Sequence, residues 1–267
     1  MTNQKNYALI TGATQGIGYE LAKLFVKDKY NLVIVARHQN ELDEKAAEFS
    51  QNGIDVITIA KDLFERKQAF ELCEEVRAKG IQVDVLVNNA GQGAYGLFED
   101  NDIERELAII DLNIASLTIL TKHFVKEMRQ RNSGKILNLA SIASRAPGPW
   151  QAVYHGTKAY VLSFSESLRS ELIDTEITVT ALLPGATDTD FFNKADMNAS
   201  KVVSDPDDLS DPADVAKDGY DALMAGKDKI VSGFKNKVMT TLGNITPDPM
   251  QAEQMKKMQE PENEDRK

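Results

Sequence analysis

The chain has 267 residues, 42% of them hydrophobic and 27% charged, a mix that suits one large α/β core and excludes a disordered or fibrous protein. Asp and Glu outnumber Lys and Arg by 41 to 31, and the resulting net charge of −10 opposes binding to nucleic acid or to an anionic membrane. Cys73 is the only cysteine, so neither an internal disulfide nor a cysteine metal cluster can form; no metal is expected, and a reducing, cytoplasmic setting is.

The opening "MTNQKNYALITGA" contains a strand-length apolar run without the basic start of a signal peptide. No segment approaches the roughly 20 apolar residues that would span a bilayer. From there β-branched runs alternate with charged stretches of helical period. "YALIT", "NLVIVA", "IDVITIA", "VDVLVN", "GKILNLA", "ITVTALL" and "DKIVSG" are the expected strands, with six amphipathic stretches between them. This alternation predicts a single-domain Rossmann fold, a doubly wound parallel sheet of about seven strands with helices on both faces.

Directly after the first strand stands "TGATQGIG", Thr11 to Gly18, followed by the helical spacing of Leu21, Leu24 and Phe25. A strand, a tight glycine turn and a helix start make an anion site, because backbone N–H groups and the helix dipole converge on phosphate. Gly12, Gly16 and Gly18 would serve the turn, the close approach to pyrophosphate and the packing of helix on strand. The spacing of glycine, three residues, glycine, one residue, glycine differs from the usual GxGxxG and resembles the short-chain dehydrogenase/reductase family.

The second strand ends in Ala36 and Arg37, where an NAD-binding fold usually carries a carboxylate for the adenosine ribose. A guanidinium offers a planar fork of donors to a 2′-phosphate, so NADP(H) is expected. Thr14, Gln15 and Ile17 complete the glycine loop, and His38 lies next to Arg37. After the third strand, Asp62 and Leu63 stand where the family lines the adenine, although this Asp equally suits a helix cap. After the fourth, "NNAG" matches the family segment that supports the sheet and lines the cofactor through Asn89, Ala90 and Gly91.

In "QAVYHGTKAY", Tyr154 and Lys158 are four apart, which on a helix puts both on one face. An ammonium near a phenol favours phenolate and moves its pKa from about 10 toward working pH, so the pair suits proton transfer to a carbonyl. Ser141 closes "GKILNLAS" at the strand edge where open α/β sheets bind ligands. The resemblance implies a catalytic tetrad of Asn113, Ser141, Tyr154 and Lys158, with Asn113 holding a water that links Lys158 to solvent. It also places Pro184, Gly185, Thr187 and Thr189 beside the nicotinamide.

Residues 1–233 thus read as the catalytic domain, with a substrate loop at about 188–211, and 234–267 as an extension whose charged tail frays. Gly93, Tyr95, Ala143, Pro147 and Trp150 suggest a substrate with an apolar portion, while Phe191, Phe192 and Met197 have the composition of a lid. Met239 to Met258 suit the cleft, an interface or a membrane surface. The expected activity is NADP(H)-dependent hydride transfer between nicotinamide and a carbonyl or secondary alcohol. The alternative is a non-catalytic protein that senses NADP(H). The family usually forms homodimers or homotetramers.

Overall fold

All seven expected strands form in the computed structural model, which describes residues 6–205, 208–243 and 247–261. They are β1 (Tyr7–Thr11), β2 (Asn31–Ala36), β3 (Val56–Ala60), β4 (Val83–Asn88), β5 (Gly134–Leu139), β6 (Ile177–Leu183) and β7 (Lys229–Val231). Every pairing is parallel and the order is β3-β2-β1-β4-β5-β6-β7. The chain therefore reverses its direction of travel across the sheet at β1, between β2 and β4. In open α/β sheets a ligand crevice opens at that switch point, beyond the carboxyl ends of the strands.

Residue alternation along β1 decides which helices cover which face. Ala8 and Ile10 point into a core with Leu21 and Phe25 of α1 (Gly16–Lys27), Leu42 of α2 (Gln39–Ser50) and Val215 and Leu223 of α8 (Pro212–Met224). Leu9 points the other way, toward Leu72 and Val76 of α3 (Arg66–Ala78) and Leu120, Phe124 and Met128 of α5 (Leu117–Arg131). Each such side chain contributes about 2 kcal/mol by leaving water. Burial on both faces is why the strands read as apolar runs.

The expectation about membrane-length segments needs one correction. Ile103–Arg131 is helical throughout and holds a window long and apolar enough to cross a bilayer by composition. Here that stretch is α4 (Ile103–Ile110), a π-helical turn at Asp111–Ser116, and α5, with Leu112, Leu117, Leu120 and Phe124 buried against the sheet. Part of its apolar content builds the core, while Ile103 and Leu107 stay exposed.

α6 (Ala152–Glu171) packs on β6, and the polar segment after it holds α7 (Phe191–Lys194) and a short 3₁₀ turn at Lys201–Val203. The extension folds as α9 (Phe234–Gly243) and α10 (Asp248–Gln259). Of the charged tail 260–267, expected to fray, Glu260 is paired with Lys201 and Pro261 bridges to Ser200, while 262–267 lie outside the described residues.

Candidate active site

A cavity of about 950 Å³ opens at the switch point. The glycine loop forms its floor at one end. Gly12 and Gly16 adopt φ of +67° and +55°, a region that L side chains avoid. A Cβ on Gly18 would stand 2.2 Å from the Gly12 carbonyl oxygen and 2.3 Å from Asn89 Nδ2. Asn89 locks the loop from below: its Nδ2 donates to the carbonyls of Thr11 (2.8 Å) and Gly12 (3.0 Å). The Thr11 hydroxyl in turn accepts from the amides of Asn89 (3.1 Å) and Ala90 (3.0 Å). The "NNAG" segment is thus a brace for the loop.

The residues present fit a dinucleotide. Gln15 precedes α1 without any side-chain bond to the helix's first amides, and the first turn carries no acid, so the positive end of the helix dipole is left for an anion. Thr14, Gln15, Gly16, Ile17 and Gly18 all line the cavity, as do Asp62, Leu63, Asn89, Ala90 and Gly91. Arg37 and His38 line it as well; the exposed Arg37 guanidinium stands 5.6 Å from the Phe64 ring centroid. Asp62 caps its own turn, accepting from the Phe64 amide (3.1 Å), whereas Glu65 is the residue that starts α3.

Ser141, Tyr154 and Lys158 line the same cavity. Ser141 lies just past β5, where its hydroxyl accepts from the Ala143 amide (3.1 Å) and donates to the Pro184 carbonyl (3.4 Å). Tyr154 sits in the first turn of α6 with Lys158 one turn on. Lys158 Nζ donates to the Leu139 carbonyl (2.7 Å) and stands 5.7 Å from the Tyr154 ring centroid. Asn113 is in the π turn, behind the cavity wall. Its Oδ1 accepts from the Gln92 amide (3.0 Å), and its Nδ2 donates to the Gln92 carbonyl (2.9 Å) and to Thr157 Oγ1 (3.0 Å). A Cβ on Gly91 would lie 3.2 Å from Lys158 Nζ and 3.3 Å from Asn113 Oδ1, so the two groups flank that glycine.

The electrostatics of the pair differ from the expectation. Burial pushes the Tyr154 phenol up to about 12, with a Ser141 hydrogen bond acting weakly the other way. Burial lowers Lys158 to about 8. Desolvation is the leading cause of both shifts, and Nζ is held by the Leu139 carbonyl.

A buried ammonium costs stability, and this one is 4% exposed. A fall from 10.5 to about 8 corresponds to roughly 3 kcal/mol at neutral pH. The penalty is complete below about pH 8 and disappears as pH rises toward 10.5, where both folded and unfolded chains carry neutral Lys158. Lys158→Met is therefore expected to raise the melting temperature at pH 7, with the gap to the parent closing as pH is raised; a destabilised variant at pH 7 contradicts the assignment.

Pro184, Gly185, Thr187 and Thr189 line the cavity just past the carboxyl end of β6, where the Pro184 carbonyl accepts from the Ile142 amide (2.9 Å). Both threonine hydroxyls are engaged within their own turn, Thr187 with the Gly185 carbonyl (3.0 Å) and Thr189 with the Thr187 carbonyl (3.4 Å). The apolar end of the cavity departs from the expectation. Of Gly93, Tyr95, Ala143, Pro147 and Trp150, only Ala143 lines it. Trp150, at a positive φ of 70°, stacks on Tyr95, with ring centroids 5.6 Å apart. The wall is built from Phe191, Phe192 and Met197, expected as a lid, and from Met239, Met255 and Met258, for which the cleft was one of the expected places. Gln151, His155, Asn236 and Gln259 also line the cavity and were not anticipated. Helical spacing placed His155 on α6, but nothing local in sequence links it to the extension.

A parallel sheet with a glycine loop at its switch point, and a serine, tyrosine and lysine in the cleft above, defines a nucleotide-binding α/β oxidoreductase. The chain belongs to the short-chain dehydrogenase/reductase family: the family model for short chain dehydrogenase matches residues 6–199. A Haemophilus influenzae protein described as a probable NADP-dependent dehydrogenase is 34% identical over 216 residues, covering 78% of this chain and 84% of the relative. Among solved structures, the short-chain dehydrogenase of Sphingobium yanoikuyae in complex with NADPH superposes with a TM-score of 0.80 at 27% identity, over 91% of this chain and 96% of that one. The bulky-bulky ketone specific alcohol dehydrogenase of Comamonas testosteroni gives a TM-score of 0.77 at 26% identity, over 95% and 99%. The protein is accordingly an NAD(P)-dependent dehydrogenase/reductase acting on CH–OH and C=O groups.

Proposed function

We propose that the protein is an NADP(H)-preferring reductase of carbonyls, or dehydrogenase of secondary alcohols, whose substrates carry an apolar portion and whose proton is handled by Tyr154. The observation that carries this reading is the meeting of Ser141, Tyr154 and Lys158 with the glycine loop in one cavity. The nicotinamide, when bound, supplies or accepts the hydride. Ser141 would orient the substrate oxygen by a hydrogen bond. Tyr154 would give its hydroxyl proton to that oxygen as the carbonyl carbon is reduced, and take it back in oxidation. Lys158, mostly charged at pH 7, favours the phenolate that reduction leaves behind. Asn113, tied to the Gln92 backbone and to Thr157, holds the wall beside Lys158 and is the family's relay position.

Arg37 is the proposed clamp for the 2′-phosphate. It is supported by its place on the cavity rim and by the NADPH bound to the Sphingobium relative. Arg37→Ala is expected to weaken NADPH binding about tenfold or more, the value of a charge-assisted hydrogen bond, and to leave NADH binding unchanged. Calorimetric titration decides this, and preference of the unaltered protein for NADH rejects the clamp.

The apolar portion of the substrate is supported by the Phe and Met wall and by the bulky ketones named for the Comamonas relative. Residues 1–233 would form the catalytic domain, with 234–267 as an extension of it. A homodimer or homotetramer belongs to the same proposal. It is supported by exposed Ile103 (57%) and Leu107 (46%) on α4 and by Tyr160 (37%) on α6, which packs against α4. Light scattering that returns only monomer at micromolar concentration rejects it. A reducing, cytoplasmic setting fits the free, buried thiol of Cys73.

A further inference from the structure

Three segments around the substrate end of the cavity meet at one residue of the last helix. Gln259, 4% exposed, ends α10. Its backbone carbonyl accepts from the hydroxyls of Tyr95 (2.5 Å), in the loop after Gly91, and of Ser200 (3.1 Å), in the segment after α7. Its side-chain Nε2 meets His155 Nε2 at 3.0 Å, and His155 directly follows Tyr154 in α6. The tautomer is set by the other ring nitrogen: Nδ1 lies 2.8 Å from the Ala146 carbonyl, which can only accept, so Nδ1 carries the proton and Nε2 accepts from Gln259. Just beyond, Glu260 pairs with Lys201 (2.7 Å) and Pro261 bridges to Ser200. One short stretch thus fastens the extension to the loop after Gly91, the segment after α7 and the start of α6.

These attachments are hydrogen bonds, one ion pair and a β-bridge. Among the described residues, the buried Gln259 Oε1 and Gln151 Nε2 have no hydrogen-bond partner, unlike most buried polar atoms. Meanwhile Met239 and Met258 line the cavity and are still 37% and 44% exposed, leaving apolar surface for a ligand to cover. Thioethers adapt to the shape of what they cover. We infer that α10 is a strap, fastened through Gln259, that forms one wall of the substrate chamber and makes the enzyme selective for ketones with a bulky apolar substituent. This rests on the carbonyl chemistry proposed above.

The sole tryptophan provides the readout. Trp150 stacks on Tyr95, and Tyr95 is bonded to Gln259, so its fluorescence reports on the fastening. The experiment uses the full chain saturated with NADP+, titrated with 1-phenylhexan-1-one as the bulky probe and butan-2-one as the small one. Hydrogen exchange of residues 248–261 is followed in parallel, and NADP+ affinity is measured by calorimetry. The unaltered protein is expected to bind the bulky ketone with a saturable change in Trp150 emission and slower exchange in α10. Gln259→Ala, and separately Met255→Ala with Met258→Ala, should weaken that binding at least tenfold while NADP+ affinity stays within twofold. Equal ketone affinity in parent and variants overturns the strap, and so does a parent that binds the bulky probe no better than butan-2-one. Should Gln259→Ala fail to fold, the methionine variant decides. Failure of the parent to bind NADP+ instead overturns the reading on which the inference rests.

Discussion

Gly18→Ala is expected to abolish NADP(H) binding and to lower stability by about 3 kcal/mol, the upper end of overpacking costs. The new methyl would stand 2.2 Å from the Gly12 carbonyl oxygen and 2.3 Å from Asn89 Nδ2. Neither neighbour can yield cheaply. The Gly12 amide donates to the Val35 carbonyl at 2.8 Å, and Asn89 Nδ2 is held by two carbonyls. Relief would require shifting the loop off β2 or breaking the Asn89 brace, and either displaces the amides that would face the phosphates. In a chain of this size the melting temperature should fall by about 6–12 °C. Gly156→Ala supplies the internal control, since a Cβ at that helical position meets nothing among the described residues within 4 Å and should leave the fold of the chain unaffected or slightly stabilised. Cofactor affinity in Gly18→Ala close to that of the parent would show that the loop is not the phosphate cradle.

Removal of a single oxygen, in Tyr154→Phe, should lower kcat by about 10²–10⁴ and leave NADPH affinity within twofold. The ring keeps its contact with Phe191, whose centroid lies 5.2 Å away, so the cavity is not remodelled. The pH dependence separates a chemical role from a structural one. If Tyr154 acts as proposed, oxidation of an alcohol needs the deprotonated phenol, and burial holds that group up to about 12 in the free protein, so the parent's oxidation rate should climb with pH through the neutral range. Reduction, on the same proposal, uses the protonated phenol and should stay flat until Lys158 loses its charge above about 8. The Phe variant should lose the rising limb of oxidation. Unchanged turnover in Tyr154→Phe would remove Tyr154 from the mechanism.

The elements and the residue types of the site are legible in the order of the amino acids. β-branched runs of strand length stand where all seven strands form, because burial on both faces of a parallel sheet demands apolar residues without a polar face. The glycine loop was legible because positive φ at Gly12 and Gly16 restricts the residue type, and the spacing of Tyr154 and Lys158 because it follows the helical repeat. What the tertiary structure alone decided are relations between distant positions. The π turn at Asp111–Ser116 sets Asn113 behind the wall beside Gly91, and no local pattern announces it. The Tyr154 phenol is raised rather than lowered because desolvation depends on everything packed around it. Trp150, apolar and next to the cleft in sequence, is turned onto Tyr95, while methionines from the extension supply the cavity wall. Gln259 touches His155 across 104 residues of chain. Periodicity records which face of an element is buried, whereas the identity of the partner across the cavity is set by how the packed layers bring remote segments together.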